Sequence, residues 1–237
     1  MNTRTGMIRF ALCAGVCLGG ATAVQADDHA VVVELFTSQG CSSCPAADEL
    51  LEELADNQEI IALALHVDYW DYIGWVDQFA QPKFTDRQKN YARIAGARSI
   101  YTPQFIIGGV DHVVGAHPME IAEGVRRLAA QVPGVDLTLK RSGEDLSVEA
   151  VSTQSFATPL IVQVVRYTAQ EQIDILGGEN AGKSVTYSNI VTSWEPVAEW
   201  QPDEPLTMDI DVPGSDPVVV IVQEPGPGLI VAAERAF

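Results

Sequence analysis

Two cysteines three positions apart, in Gly40-Cys41-Ser42-Ser43-Cys44-Pro45, stand between a strand pattern and a helix pattern, and that placement restricts the fold more than anything else in the chain. Before them, Val31-Val32-Val33-Glu34-Leu35-Phe36 is a β-rich run of the kind buried inside a parallel sheet. A turn over Thr37 to Gly40 follows. After them, Ala47, Leu50, Leu51 and Leu54 recur at helical spacing, with Pro45 in the first turn and Asp48 and Glu49 where a helix start favours acids. Both sulfurs are therefore expected at the head of one helix.

The same rhythm continues to about Ala130. Residues 60–67 read as a second apolar strand. Thr85-Asp86-Arg87-Gln88 has the form of a capping box and predicts a helix from there to about Gly96. Gln104–Ile107 reads as a third strand, turned by Gly108-Gly109 into a short partner at 112–115. A last helix has Pro118 in its first turn and Ile121, Ala122, Val125, Leu128 and Ala129 on one face. The expected order is β-α-β-α-β-β-α.

Past Val132-Pro133-Gly134 the period drops to two. Val135, Leu137 and Leu139 alternate with Asp136, Thr138 and Lys140, and Leu146, Val148 and Ala150 repeat the pattern. Further strands are expected at 160–167, 173–176, 185–194, 206–212, 218–223 and 229–233. Short strands punctuated by Gly and Pro, with no helix pattern, predict an all-β, antiparallel, sandwich-like domain. The expected division is an α/β domain over 27–133 and a β-rich domain over 134–237.

The first 26 residues read as an address. Arg4 and Arg9 precede an apolar stretch over 10–24, which closes with Val24-Gln25-Ala26 before Asp27-Asp28. That order predicts a secretory signal cut after Ala26. Of the four cysteines, only Cys41 and Cys44 then remain. The mature chain is expected in the periplasm or outside the cell, where disulfides form, and to meet a membrane only through its signal. Acidic residues outnumber basic ones 32 to 14, and the formal net charge is −18. This argues against binding nucleic acid through a general basic field.

At a helix N-terminus the first cysteine meets unpaired N–H groups and the positive end of the helix dipole, which both favour thiolate. Cys41 is thus the candidate nucleophile, and the more sheltered Cys44 the candidate resolving thiol. A structural staple gains less, because closing a loop of about four residues is worth roughly 2 kcal/mol by chain entropy. A metal reading stays open: His66 with Cys41 and Cys44 makes a three-ligand copper or zinc set. So does a non-catalytic interaction module. The redox reading needs no cofactor beyond the Cys41–Cys44 disulfide. It implies thiol or disulfide client proteins and a redox recycling partner, with no nucleotide. Residues 177–184 match a phosphate-loop pattern literally, but Val185-Thr186-Tyr187 continues as a strand, so the segment reads as a hairpin loop.

The strand, the cysteine pair at the head of a helix, and Thr102-Pro103 entering a later strand resemble the thioredoxin superfamily over about residues 30–130. The resemblance implies a cis proline at Pro103 lying against the cysteines, with the backbone of Thr102 offered to an extended substrate. The run from Val33 to Asp48 resembles more closely a secreted family catalogued as domain of unknown function 1223. His66-Val67-Asp68-Tyr69-Trp70-Asp71, Tyr101-Thr102-Pro103-Gln104 and Gly178-Glu179-Asn180-Ala181-Gly182 resemble it too. That likeness implies a thioredoxin-like fold and export, and no reaction. Ser42-Ser43 stands where thioredoxin has Gly-Pro, and the second half has no thioredoxin counterpart. Strand C-termini point toward the site in such sheets. His66 and Asp68 are therefore candidates to tune a cysteine pKa. Trp70, with Tyr69, Tyr72 and Trp75, is a candidate wall of a substrate groove, so Trp70, Thr102 and Pro103 are the expected substrate contacts.

Overall fold

The alternating pattern of the first half becomes β1 (Val31–Thr37), α1 (Pro45–Ala55), β2 (Ile60–His66), α2 (Pro82–Ile94), β3 (Gln104–Ile107), β4 (Asp111–Val114) and α3 (Pro118–Ala129). These come from a computed structural model that describes residues 29–131 and 133–236. The expected signal over 1–26 lies outside the described residues. No described helix is long and apolar enough to cross a membrane. β1 and β2 run parallel, with Thr37 opposite His66 at their C-terminal ends. β3 runs antiparallel on the other side of β1, with Gln104 opposite Phe36. Thr37, His66 and the residues entering β3 therefore share one end of the sheet.

Each α-helix opens on a proline, whose missing N–H has no helical partner in a first turn. α2 starts at Pro82 rather than at the expected Thr85. Thr85 does not cap: it is buried one turn inside, and its hydroxyl donates to Asp68 Oδ1 at 2.6 Å.

The second half supplies β5 (Val135–Ser142), β6 (Asp145–Ser152), β7 (Leu160–Asp174), β8 (Ser184–Trp200), β9 (Leu206–Asp211), β10 (Val218–Gln223) and β11 (Ile230–Ala236). Two expected strands, 160–167 and 173–176, are one 15-residue strand, β7, whose register against β8 shifts twice. Strands from both sides of Pro133 share one eight-stranded sheet, ordered β11-β10-β7-β8-β2-β1-β3-β4. β8 meets β2 at Ile190 opposite Ala64. A three-stranded sheet, β5-β6-β9, lies apart from it.

The reason is visible in β10. Val218-Val219-Val220-Ile221-Val222 has no alternation and is buried throughout, so it needs cover on both faces. On one face Val219 and Ile221 join Val165, Tyr167 and Trp194 in a core with Phe36, Ile61, Leu63, Phe84 and Tyr91 of the first half. On the other, Val218, Val220 and Val222 meet Val135, Leu146, Val148 and Ala150 of the smaller sheet. The protein is a mixed α/β structure with one large sheet, and its described residues hold three α-helices and one 3-10 turn at Asp71–Ile73.

Candidate functional site

The cysteine loop leaves β1 through a tight turn. Cys41 N–H donates to Ser38 O at 3.1 Å, and Gly40 N–H to Ser38 Oγ at 3.1 Å. Cys44 is the N-cap of α1, where its carbonyl accepts from Ala47 and Asp48. Cys41 and Cys44 are joined as a disulfide, their Cα atoms 5.4 Å apart. Cys41 is 2% exposed and Cys44 0%, whereas Ser42 and Ser43 between them are exposed. The sequence led us to expect only Cys44 to be sheltered; both are buried, just beneath a polar rim.

Trp70 connects this loop to β3. A Cβ on Gly40 would stand 3.0 Å from Trp70 Cβ, so the missing side chain lets Trp70 lie against the loop. At its far end Trp70 Nε1 donates to Thr102 Oγ1 at 2.7 Å. The Thr102–Pro103 peptide bond is cis. Trp70 thus touches the cysteine loop at Gly40 with one end and Thr102, next to the cis proline, with the other. The other aromatics have separate duties. Tyr69 donates to Gln88 at 3.1 Å and Trp75 to Gln39 Oε1 at 2.7 Å, while Tyr72 is exposed.

At the C-terminal ends of β1 and β2 lies a buried polar cluster. His66 Nδ1 and Asp77 Oδ2 share a hydrogen bond of 2.7 Å, both side chains fully buried. Burial alone would raise the pKa of Asp77, but His66 and the N–H groups of Gln39 and Phe79 hold it below the usual carboxylate value. The imidazole meets Phe79 and Tyr187 edge-on. On the same side of the sheet, Thr37 donates to Asp48 Oδ1 at 2.7 Å. Burial pushes the Asp48 carboxyl up to about 7 against the pull of Thr37 and His66. Among the described residues, Gln39 Nε2, Asp48 Oδ2 and His66 Nε2 are the buried side-chain atoms with no hydrogen-bond partner in the protein.

Asp68 is not in this cluster. It accepts from Thr85 on α2, toward the opposite face of the sheet from His66. The residues that join His66 instead are Asp48 and Asp77, which the sequence reading did not select. Asp48 carried a signal: it lies four positions beyond Cys44 on the helix face of Ala47 and Leu51. Asp77 carried none. The hairpin loop at 177–184 also enters the site, through Asn180, whose side-chain nitrogen donates to Gln39 O at 2.9 Å and Cys41 O at 2.8 Å. No cluster of three or more His, Cys, Asp or Glu among the described residues is arranged to hold a metal ion.

Residues 32–223 match the family described as protein of unknown function, DUF1223. The chain belongs to this family. The DUF1223 match runs from β1 to β10, so it contains the cysteine loop, Trp70, the cis proline and the hairpin that carries Asn180. A crystal structure of a protein from Agrobacterium tumefaciens is similar at 31% identity, with a TM-score of 0.75. That similarity covers 87% of this chain and 93% of the other. HBP35 of Porphyromonas gingivalis shares the fold at 13% identity and a TM-score of 0.62, over 88% of this chain and 74% of its own. No curated protein matches.

Proposed function

We propose that this DUF1223 protein is an exported thiol–disulfide oxidoreductase with a thioredoxin-like N-terminal half, acting through Cys41 and Cys44. The observation that carries the reading is the pairing of two features through Trp70: a two-residue-spaced disulfide at the N-cap of α1 and a cis Thr102–Pro103 bond at the entry to β3. A disulfide closing so small a loop stabilises the fold by only about 2 kcal/mol, which favours chemistry over reinforcement.

The reaction is an exchange. A client thiolate attacks Cys41 Sγ, the Cys41–Cys44 bond breaks, and Cys44 leaves as a thiolate beside the positive end of α1. A second client thiolate then attacks the client sulfur of the mixed disulfide and releases Cys41. Two electrons and two protons pass from the client to the protein, and a recycling partner reverses the change. Asp48 shares a helix face with Cys44, and its pKa of about 7 suits it to give or take the Cys44 proton at neutral pH. Thr102 and Pro103 hold the client's backbone, and Trp70 its side.

The test is disulfide trapping. Cys44→Ser, which retains the Cys41 thiol, is expected to accumulate mixed disulfides in which the Cys41 thiolate has attacked a disulfide of a client or of the recycling partner and released one of its thiols, all reversed by dithiothreitol. Cys41→Ser is expected to give at least tenfold fewer. No adduct with Cys44→Ser, together with no redox exchange between the wild type and a glutathione buffer, would overturn the proposal.

A further inference from the structure

We propose that the tip of the β7–β8 hairpin is an access gate over the disulfide, latched by Asn180. As a device for admitting clients it rests on the exchange reading above. As a control of access to the sulfurs it stands on geometry alone.

Exchange requires a thiolate to reach a sulfur directly. With Cys41 at 2% exposure and Cys44 at 0%, the observed arrangement is closed. The exposed Ser42 and Ser43 show how shallow the closure is. The backbone of the cysteine loop is tied down by a side chain 139 residues away. The amide nitrogen of Asn180 donates to the carbonyls of Gln39 and Cys41, which bracket the turn ahead of the disulfide. The amide oxygen accepts from Lys183 Nζ at 2.8 Å. Both amide hydrogens and the oxygen are thereby engaged.

The tip is a short turn unit closed by its own hydrogen bonds. It springs from Ile175, which is fully buried, and folds through Gly182 N–H to Ile175 O at 2.8 Å and Lys183 N–H to Asn180 O at 3.1 Å. Gly178 and Gly182 hold the positive φ angles its turns need. Glu179, Ala181 and Lys183 are exposed, whereas Asn180 between them is 1% exposed. The tip lies at the surface, and short surface segments of this kind open locally without global unfolding. The tip also closes against a second wall. A Cβ on Gly177 would meet Gly74 O at 2.6 Å, and one on Gly178 would meet Trp75 Cβ at 3.2 Å. Trp75 in turn donates to Gln39, so tip, Trp75 and cysteine loop form one closed ring of contacts.

The experiment measures the rate at which dithiothreitol reduces the oxidised full chain, at fixed pH and several sub-denaturing urea concentrations. One dithiothreitol thiolate breaks the Cys41–Cys44 bond. Its second thiolate then displaces the protein sulfur and leaves in a cyclic disulfide, so two electrons pass to the protein. Asn180→Ala is expected to accelerate reduction about 10- to 100-fold, from loss of two hydrogen bonds to loop carbonyls, with a weak dependence on urea. Lys183→Met keeps both of those bonds and is expected to accelerate it by less than about tenfold, but measurably. An unchanged rate in Asn180→Ala overturns the gate. So does a rate that rises only in step with global unfolding and steeply with urea. If Asn180→Ala does not fold, an unchanged rate in Lys183→Met overturns it. Dithiothreitol needs no client, so the gate can stand where disulfide trapping by Cys44→Ser fails, and can fall where trapping succeeds.

Discussion

Replacing Asp48 by Asn is expected to stabilise the oxidised protein by about 4 kcal/mol more at pH 8 than at pH 4. Burial lifts the Asp48 carboxyl from 3.8 to about 7, so the folded chain keeps this proton over a range in which the unfolded chain has lost it. Stability from this group is therefore fully present below pH 3.8, falls as pH rises, and is lost above about 7. The shift, at about 1.4 kcal/mol per unit, sets the size of the effect. The groups that face Asp48 do not cancel it: Thr37 and His66 favour the charged form, Asp77 and Glu49 oppose it, and burial exceeds each of them. Asn keeps an oxygen for the Thr37 hydroxyl and has no charge to bury. Urea unfolding of both proteins across pH 4 to 8 checks this. A difference that does not grow with pH would show that Asp48 ionises freely, and would remove it as the proton carrier for Cys44. The same variant reports on chemistry. The ratio of wild-type to Asp48→Asn exchange rates should change across pH 7, since the attacking thiol's own ionisation cancels from the ratio.

Asp48 also shows where sequence reasoning stops. An acid in a first turn is ordinarily a solvated partner of the helix dipole, and its position alone says no more than that. Its burial depends on which face of α1 meets the sheet, and the spacing of Ala47 and Leu51 held that information. The cysteine loop was legible because its parts are local: an apolar run, a turn, then Pro45 opening a helix. Thr102 and Pro103 follow from the family resemblance rather than from any local pattern, and Trp70 from its place just past the second strand. His66 and Asp68 were chosen by one argument, that strand ends face the site, yet only His66 meets the buried cluster. His66, the last residue of β2, turns toward Asp77, and Asp68 turns toward Thr85 of α2. Asp77 and Asn180 lie in loops, where no periodicity links them to partners 11 and 139 residues away. The shared sheet is a similar case. The two-sided burial of β10 is written in its unbroken valines, but nothing local says that β8 lies beside β2.

Arg87→Met is expected to destabilise the protein by about 3–5 kcal/mol, and to do so equally in both halves of the chain. Glu34 of β1 has no exposed side-chain surface, and Arg87 of α2 grips it with two nitrogens at 2.6 and 2.9 Å. Tyr91 donates to the same carboxylate at 2.6 Å. The network then leaves the first half. Arg87 reaches Gln223 of β10 at 3.3 Å and lies 3.8 Å over the Trp194 ring of β8. Gln163 of β7 closes the circuit, donating to Gln223 and accepting from Trp194. Removing the guanidinium leaves a carboxylate buried without its cation, the costly way to break such a pair, whereas Glu34→Gln with Arg87→Met should recover much of the loss. The tryptophans make the second part measurable. Trp70 and Trp75 precede Pro133, and Trp194 and Trp200 follow it, so variants keeping one pair or the other report each half by fluorescence. Coincident urea midpoints, shifted together by Arg87→Met, are the expected result, because the core of Phe36, Tyr91, Trp194 and Ile221 belongs to neither half alone. Separate midpoints would mean that the two halves are independent folding units. The cysteine loop and the Asn180 hairpin would then be held together only by their own few contacts, and the gate would open whenever the second half does.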